Sequence, residues 1–235
     1  VRFRVARTGG SGLAGCPSPE PPPAVDDYSP GDDDSPGDDD ATGDDDTEDD
    51  DTEDDDTEDD DTGDDDDLAP QPSDAGAVVF TEVMYDPRAA SFAYGEWFEL
   101  LNTTGDDLDL DACQLSDLGN DTHHIGESVP LQAFGRVVLG KHDDLDINGG
   151  IEMDYAYGTD IGMHDVNDAL VLACGGLTID QIEWNTAVDW PGAWGVSMNL
   201  TEPELPGPID PTYNDDASVW CNGVTPLDNG VDFAT

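Results

Sequence analysis

Val78-Val79-Phe80-Thr81-Glu82-Val83-Met84 and, one loop later, Glu96-Trp97-Phe98-Glu99-Leu100-Leu101-Asn102 decide the fold class of this chain. Both are short runs rich in β-branched and aromatic residues, bounded by turn signals, and such runs read as strands. Runs of the same kind recur at 108–116, 136–141, 153–157, 169–174 and 178–184, punctuated by Gly119-Asn120, Asn148-Gly149-Gly150 and Gly175-Gly176. No window repeats its apolar residues every 3.6 positions, so no helix is required. A series of short strands with this turn spacing predicts an all-β, immunoglobulin-like β-sandwich. Within 108–116, Leu108 and Leu110 share one parity and Cys113 and Leu115 the other. A bulge near Asp111-Ala112 restores a single buried face. No Trp lies between Cys113 and Cys174, as an antibody-type core would require, so the likeness to immunoglobulins stops at architecture.

Outward from this region the composition changes. The chain has 235 residues, with 58 Asp and Glu against six Lys and Arg, and a net charge of −52. Of the acids, 27 fall between Asp26 and Asp67, where no basic residue occurs; five consecutive Thr-(Glu/Gly)-Asp-Asp-Asp pentads begin at Thr42. Such a stretch has no apolar side chains to offset the entropy of ordering, and its charges repel. Residues 17–76 are therefore expected to be a disordered Pro- and Asp-rich linker, able to reach roughly 190 Å when extended. From Val78 onward 29 acids face only Arg88, Arg136 and Lys141. This charge excludes nucleic acid and anionic membrane surfaces as partners and favours cations or basic proteins.

Leu13-Ala14-Gly15-Cys16 has the form of a lipobox, preceded by Arg2, Arg4 and Arg7 and followed by a Pro-rich run. Residues 1–16 are read as the remnant of a lipoprotein signal lacking its apolar stretch, with Cys16 as the lipidation site and sole membrane link. The expected location is outside the cytosol: cell envelope, outer-membrane lipoprotein or extracellular. Cys113 and Cys174, both in apolar strand contexts, are the expected disulfide, leaving Cys221 over.

Candidate chemistry is sparse. Glu96 and Glu99 stand at odd spacing on one strand, which sends them to opposite faces rather than pairing them. Gly195-Val196-Ser197-Met198-Asn199 misses the nucleophile-elbow pattern, and His123, His124, His142 and His164 lack metal-ligand spacing. Asp144, Asp146 and Asn148, followed by Gly149, fit the first half of a calcium loop, but position 12 is Tyr155. The alternative reading of the same segment is a hairpin turn at Asn148-Gly149. Calcium is the one cofactor considered. Trp190-Pro191-Gly192-Ala193-Trp194 reads either as an aromatic platform or as a cap on the open end of the sandwich.

The quoted segments, with Tyr85-Asp86-Pro87 after the first of them, resemble the lamin-tail domain in its bacterial extracellular form. So do Leu108-Asp109-Leu110-Asp111-Ala112-Cys113-Gln114-Leu115, Asn167-Asp168-Ala169-Leu170-Val171-Leu172 and Ile179-Asp180-Gln181-Ile182. Gly195-Val196-Ser197-Met198 and Asn214-Asp215-Asp216-Ala217-Ser218-Val219-Trp220-Cys221 extend the likeness. Thr225-Pro226-Leu227 departs from the family's terminal turn, and 223–235 is expected to be a C-terminal tail that stops short. The resemblance implies a sandwich over 77–222 that binds or tethers, with no catalytic residues. The expected function is a non-catalytic, surface-displayed binding or structural module on an acidic spacer. Its partner is expected to be an unidentified protein or glycan at the cell surface. The alternatives are an accessory domain docking a hydrolase or its substrate, and a calcium-dependent adhesion domain.

Overall fold

The computed structural model describes residues 69–201, 210–227 and 229–234. The lipobox, Cys16 and most of the acidic linker lie outside these residues. In chain order the strands are β1 (Val78–Met84), β2 (Trp97–Asn102), β3 (Leu108–Asp109), β4 (Gln114–Ser116), β5 (Thr122–His124), β6 (Pro130–Leu131) and β7 (Arg136–Gly140). A one-turn helix α1 (Leu145–Asn148) precedes β8 (Tyr155–Ala156), β9 (Asn167–Cys174), β10 (Leu177–Asn185) and β11 (Met198–Leu200). Two 3₁₀ turns, Tyr213–Asp215 and Ala217–Val219, lead into β12 (Trp220–Asn222), β13 (Thr225–Pro226) and β14 (Phe233–Ala234).

These strands form an immunoglobulin-like sandwich. One sheet has six strands in the order β12-β11-β1-β2-β7-β8, the other four in the order β10-β9-β4-β5. Phe80, Val83, Phe98, Leu100 and Leu139 from the first sheet meet Leu115, Leu170, Leu172, Ile182 and Trp184 from the second in one buried cluster.

All seven residues of β1 are buried, which explains why its apolar run is nearly continuous rather than alternating. A register shift between Phe80 and Glu82 moves the inward parity from Val78 and Phe80 to Val83. The other face of β1 is also covered. Val79 packs with Leu101 and Tyr213, and Met84 with Trp97, Val138, Ile151 and Ala234.

The expected strand 108–116 is two strands in different sheets. β3 pairs with β6, while β4 pairs with β5 and β9. The break falls at Ala112, whose φ of 57° turns the chain, so Leu110 and Cys113 are both buried despite their opposite parity. β5, β6 and β11 to β14 were not among the expected strands. Where a helix was not required, Asp144 caps α1 through its carboxylate and Gly149 ends it at φ 90°.

Both domain boundaries shift outward. Within the expected linker, Pro70 accepts a hydrogen bond from Asp109 N (3.0 Å) and Gly76 N donates to Ile179 O (2.8 Å). At the other end, the expected tail is paired into the fold: β13 pairs with β14, Ser197 N donates to Phe233 O (3.0 Å), and Ala234 is buried.

Cys113 and Cys174 form the expected disulfide. Gln114 pairs with Ala173 in antiparallel register, so the bridge staples neighbouring strands of one sheet rather than crossing between sheets. Cys221 is also disulfide-bonded, so the leftover thiol expected in the folded part does not exist. Asp180 makes the polar link between the sheets. Its Oδ2 accepts from Phe80 N and Asn214 Nδ2, each at 2.8 Å. Asp180 Oδ1 and Asn214 Oδ1 are buried with no hydrogen-bond partner among the described residues.

Candidate functional site

Loops 86–95, 141–151, 186–196 and 229–233 meet at one end of the sandwich. Their junction is built on Glu96, just ahead of β2, and Lys141, just after β7. The two side chains are 2% and 7% exposed and form an ion pair at 2.7 Å. Lys141 Nζ also donates to Phe92 O (3.0 Å), and Met163 N donates to Glu96 Oε2 (2.8 Å). Burial pushes Glu96 up to about 7 although Lys141 opposes the shift.

Asp232 holds the same end from the C-terminal side. Its carboxylate accepts from Arg88 N (2.7 Å), Ala89 N (3.0 Å) and Asn229 Nδ2 (3.1 Å). Gly195 sits between these parts at φ 74°, and a Cβ there would come within 2.8 Å of both Arg88 Cβ and Asp232 Oδ1. Asn229 Nδ2 also donates to Gly149 O (3.0 Å), tying in the end of α1.

On this base stand exposed apolar side chains. Phe92 is 69% exposed, Val188 67% and Trp194 62%; Tyr94, Leu145 and Ile147 are exposed as well. The Arg88 guanidinium lies 4.7 Å over the Trp194 ring, and Tyr94 meets His142 edge-on at 5.8 Å. The local field is negative. Burial, then Asp165 and Asp232, raise the pKa of Asp86. Burial, then Asp86 and Asp165, push the Tyr85 phenol up to about 12.

The tryptophan pair of 190–194 divides its roles. Trp190 packs on Trp220 at 5.8 Å and closes the core, while Trp194 is the exposed member. Glu96 and Glu99 are not brought together: Glu96 pairs with Lys141, and Glu99 meets Arg136 at 2.6 Å. Ser197 Oγ donates to buried Glu82 at 2.6 Å within the sheet, a structural contact. His123 lies between Asp160 (2.9 Å) and Tyr155 (2.8 Å), joining β5 to β8.

The calcium-loop residues carry structural hydrogen bonds. Asp144 Oδ1 accepts from Asp146 N (3.0 Å). Buried Asn148 donates to His142 O and Ile151 O and accepts from Gly150 N and Ile151 N, which uses both lone pairs of its amide oxygen. Among the described residues no group of three or more His, Cys, Asp or Glu side chains is placed to hold a metal ion.

Sequence reasoning missed Arg88, Phe92, Tyr94 and the Glu96–Lys141 pair. One signal for them was present. Where 29 acids accompany three bases from Val78 onward, each retained base invites a structural explanation. Arg136 and Lys141 sit against buried or half-buried carboxylates, and Arg88 sits on an aromatic ring.

No curated protein matches the chain. Residues 71–186 match the family model described as Lamin Tail Domain, whose start agrees with the docking of Pro70 against β3. Such domains are immunoglobulin-like modules and generally non-catalytic. The sandwich and its strand order agree with this match, and residues 71–186 are a lamin tail domain.

Proposed function

We propose that this module is exported and works by binding, with the acidic segment 17–66 as a spacer that holds it away from its point of attachment. The observation that supports export is the buried disulfide between Cys113 and Cys174, joined by the oxidised state of Cys221. Disulfides of this structural kind persist in oxidising compartments and are rare in a reducing cytosol. The reading predicts that protein taken directly from its producing cells resists thiol alkylation at both positions. A native cytosolic protein with these cysteines alkylated as free thiols would overturn it.

The point of attachment in this reading is a lipid on Cys16. The sequence holds four cysteines, so a lipid on Cys16 and an intrachain partner for Cys221 would draw on the same sulfur. The mass of the Cys16 peptide, read without reduction, decides between them.

Binding rests on the loop end, where large apolar side chains stand exposed on a base fixed by buried charges. Single exposed apolar residues are ordinary on a soluble domain, but their concentration at one end marks a contact surface.

A further inference from the structure

We propose that the loop end docks a cationic protein segment, one that presents Arg or Lys beside aliphatic or aromatic side chains. This rests on the binding-module reading above and adds the chemistry of the partner.

Three observations carry it. Trp194 and Phe92 offer a large aromatic surface, and Arg88 orients the Trp194 ring while leaving 62% of the residue exposed. Rigid aromatic anchors of this type commonly dominate binding energy. The loops that present them are already pinned, by Asp232 to the backbone of Arg88 and Ala89 and by Lys141 to Phe92 O, so little ordering remains to oppose association. The surrounding charge is one-sided. Asp143, Asp144, Asp146, Asp165 and Asp189 are exposed on the same group of loops and on the segment preceding β9. The two bases at this end are engaged, Lys141 by Glu96 and Arg88 by the Trp194 ring. An apolar centre with an acidic surround attracts a basic, apolar segment and repels polyanions, and its charges add nothing to the capture of a neutral sugar.

The test uses the full chain with three probes: a short synthetic peptide alternating Arg with Leu and Tyr, its Glu-for-Arg counterpart, and a neutral soluble oligosaccharide. The acidic spacer attracts any cationic peptide, so the signal that counts is the difference between the native chain and a Trp194→Ser/Phe92→Ser variant. Leu118→Ser, which alters another exposed apolar residue, is the control. All three positions are exposed, so melting temperatures should stay close to that of the native chain.

The expected result is Arg-peptide binding that weakens about tenfold or more in the double variant, is unchanged in the control, and fades as salt rises. Equal Arg-peptide binding by native chain and double variant would assign it to the spacer and overturn the proposal. Trp194-dependent binding of the oligosaccharide or the Glu peptide in its place would overturn it as well. Failure here leaves the compartment reading intact, because that one depends on the state of the cysteines.

Discussion

Asp180 keeps its proton in the folded state up to about pH 7, because burial penalises its charge more than Phe80 N and Asn214 Nδ2 stabilise it. In the unfolded chain it ionises near the ordinary aspartate value of 3.8. Its folded value is raised, so the stability it contributes is complete below about pH 4 and is lost as pH climbs to about 7. Glu96, raised from 4.5 to about 7, acts in the same direction. Urea midpoints should therefore be higher at pH 5 than at pH 8. Asp180→Asn, which keeps an acceptor for Phe80 N, should flatten that difference; an undiminished slope would remove Asp180 as its source. Lys141→Met leaves the Glu96 carboxylate buried without its cation. We expect a loss of about 3–5 kcal/mol at pH 8, smaller at pH 5 where Glu96 is protonated. Adding Glu96→Gln should recover most of it, as a double-mutant cycle by denaturant unfolding will read.

At the scale of elements, the passage from β3 to β4 is the point where the chain changes sheets. Asp109 organises it: Oδ1 accepts from Asp111 N (2.8 Å) and Val129 N (2.9 Å), and the Ser128 hydroxyl donates to Oδ2. Asp109→Ala strands these donors in a buried corner and should cost about 2–3 kcal/mol in chemical denaturation. Ala112→Gly should be neutral or stabilising by up to about 1 kcal/mol, since it relieves a positive φ at the expense of chain entropy. The parity break between Leu110 and Cys113 made the irregularity legible in the sequence. Its consequence, a switch between sheets, was not legible, because the partners of the two halves, β6 and β9, are distant in the chain. The two-residue strands β6, β13 and β14 escaped for a simpler reason: so short a ladder carries no periodicity of its own.

For the whole molecule, the disulfide and the charge set the response to conditions. Cys113 and Cys174 are 61 residues apart, and opening the bridge should cost up to about 4 kcal/mol through the freedom regained by the unfolded chain. A Cys113→Ala/Cys174→Ala variant should melt lower by a corresponding amount in calorimetry. Calcium and magnesium should raise the melting temperature alike, by screening a chain of net charge −52. The amide of Asn148 has no lone pair left for a cation, and Asp144 is engaged in capping α1. A calcium-specific rise would instead point to a bound site in the native state and support the calcium-loop reading.

The sequence by itself determined the class of the fold and the runs that build its core, whereas the pairing of Cys113 with Cys174 was fixed by the structure. The class and the runs depend on which residues are apolar and on their spacing, both of which are written locally. The sequence also determined the net charge of −52, because charge is a sum over residues and needs no geometry. Only the tertiary structure decided that residues 69–76, 223–227 and 229–234 belong to the domain, since strand pairing joins segments with no local mark of their shared edge. It alone brought Glu96 to Lys141, Asp232 to the backbone of Arg88, and Arg88 to Trp194. These pairs lie far apart along the chain, and their contacts exist because the sandwich gathers its loops at one end, not because any local pattern calls for them.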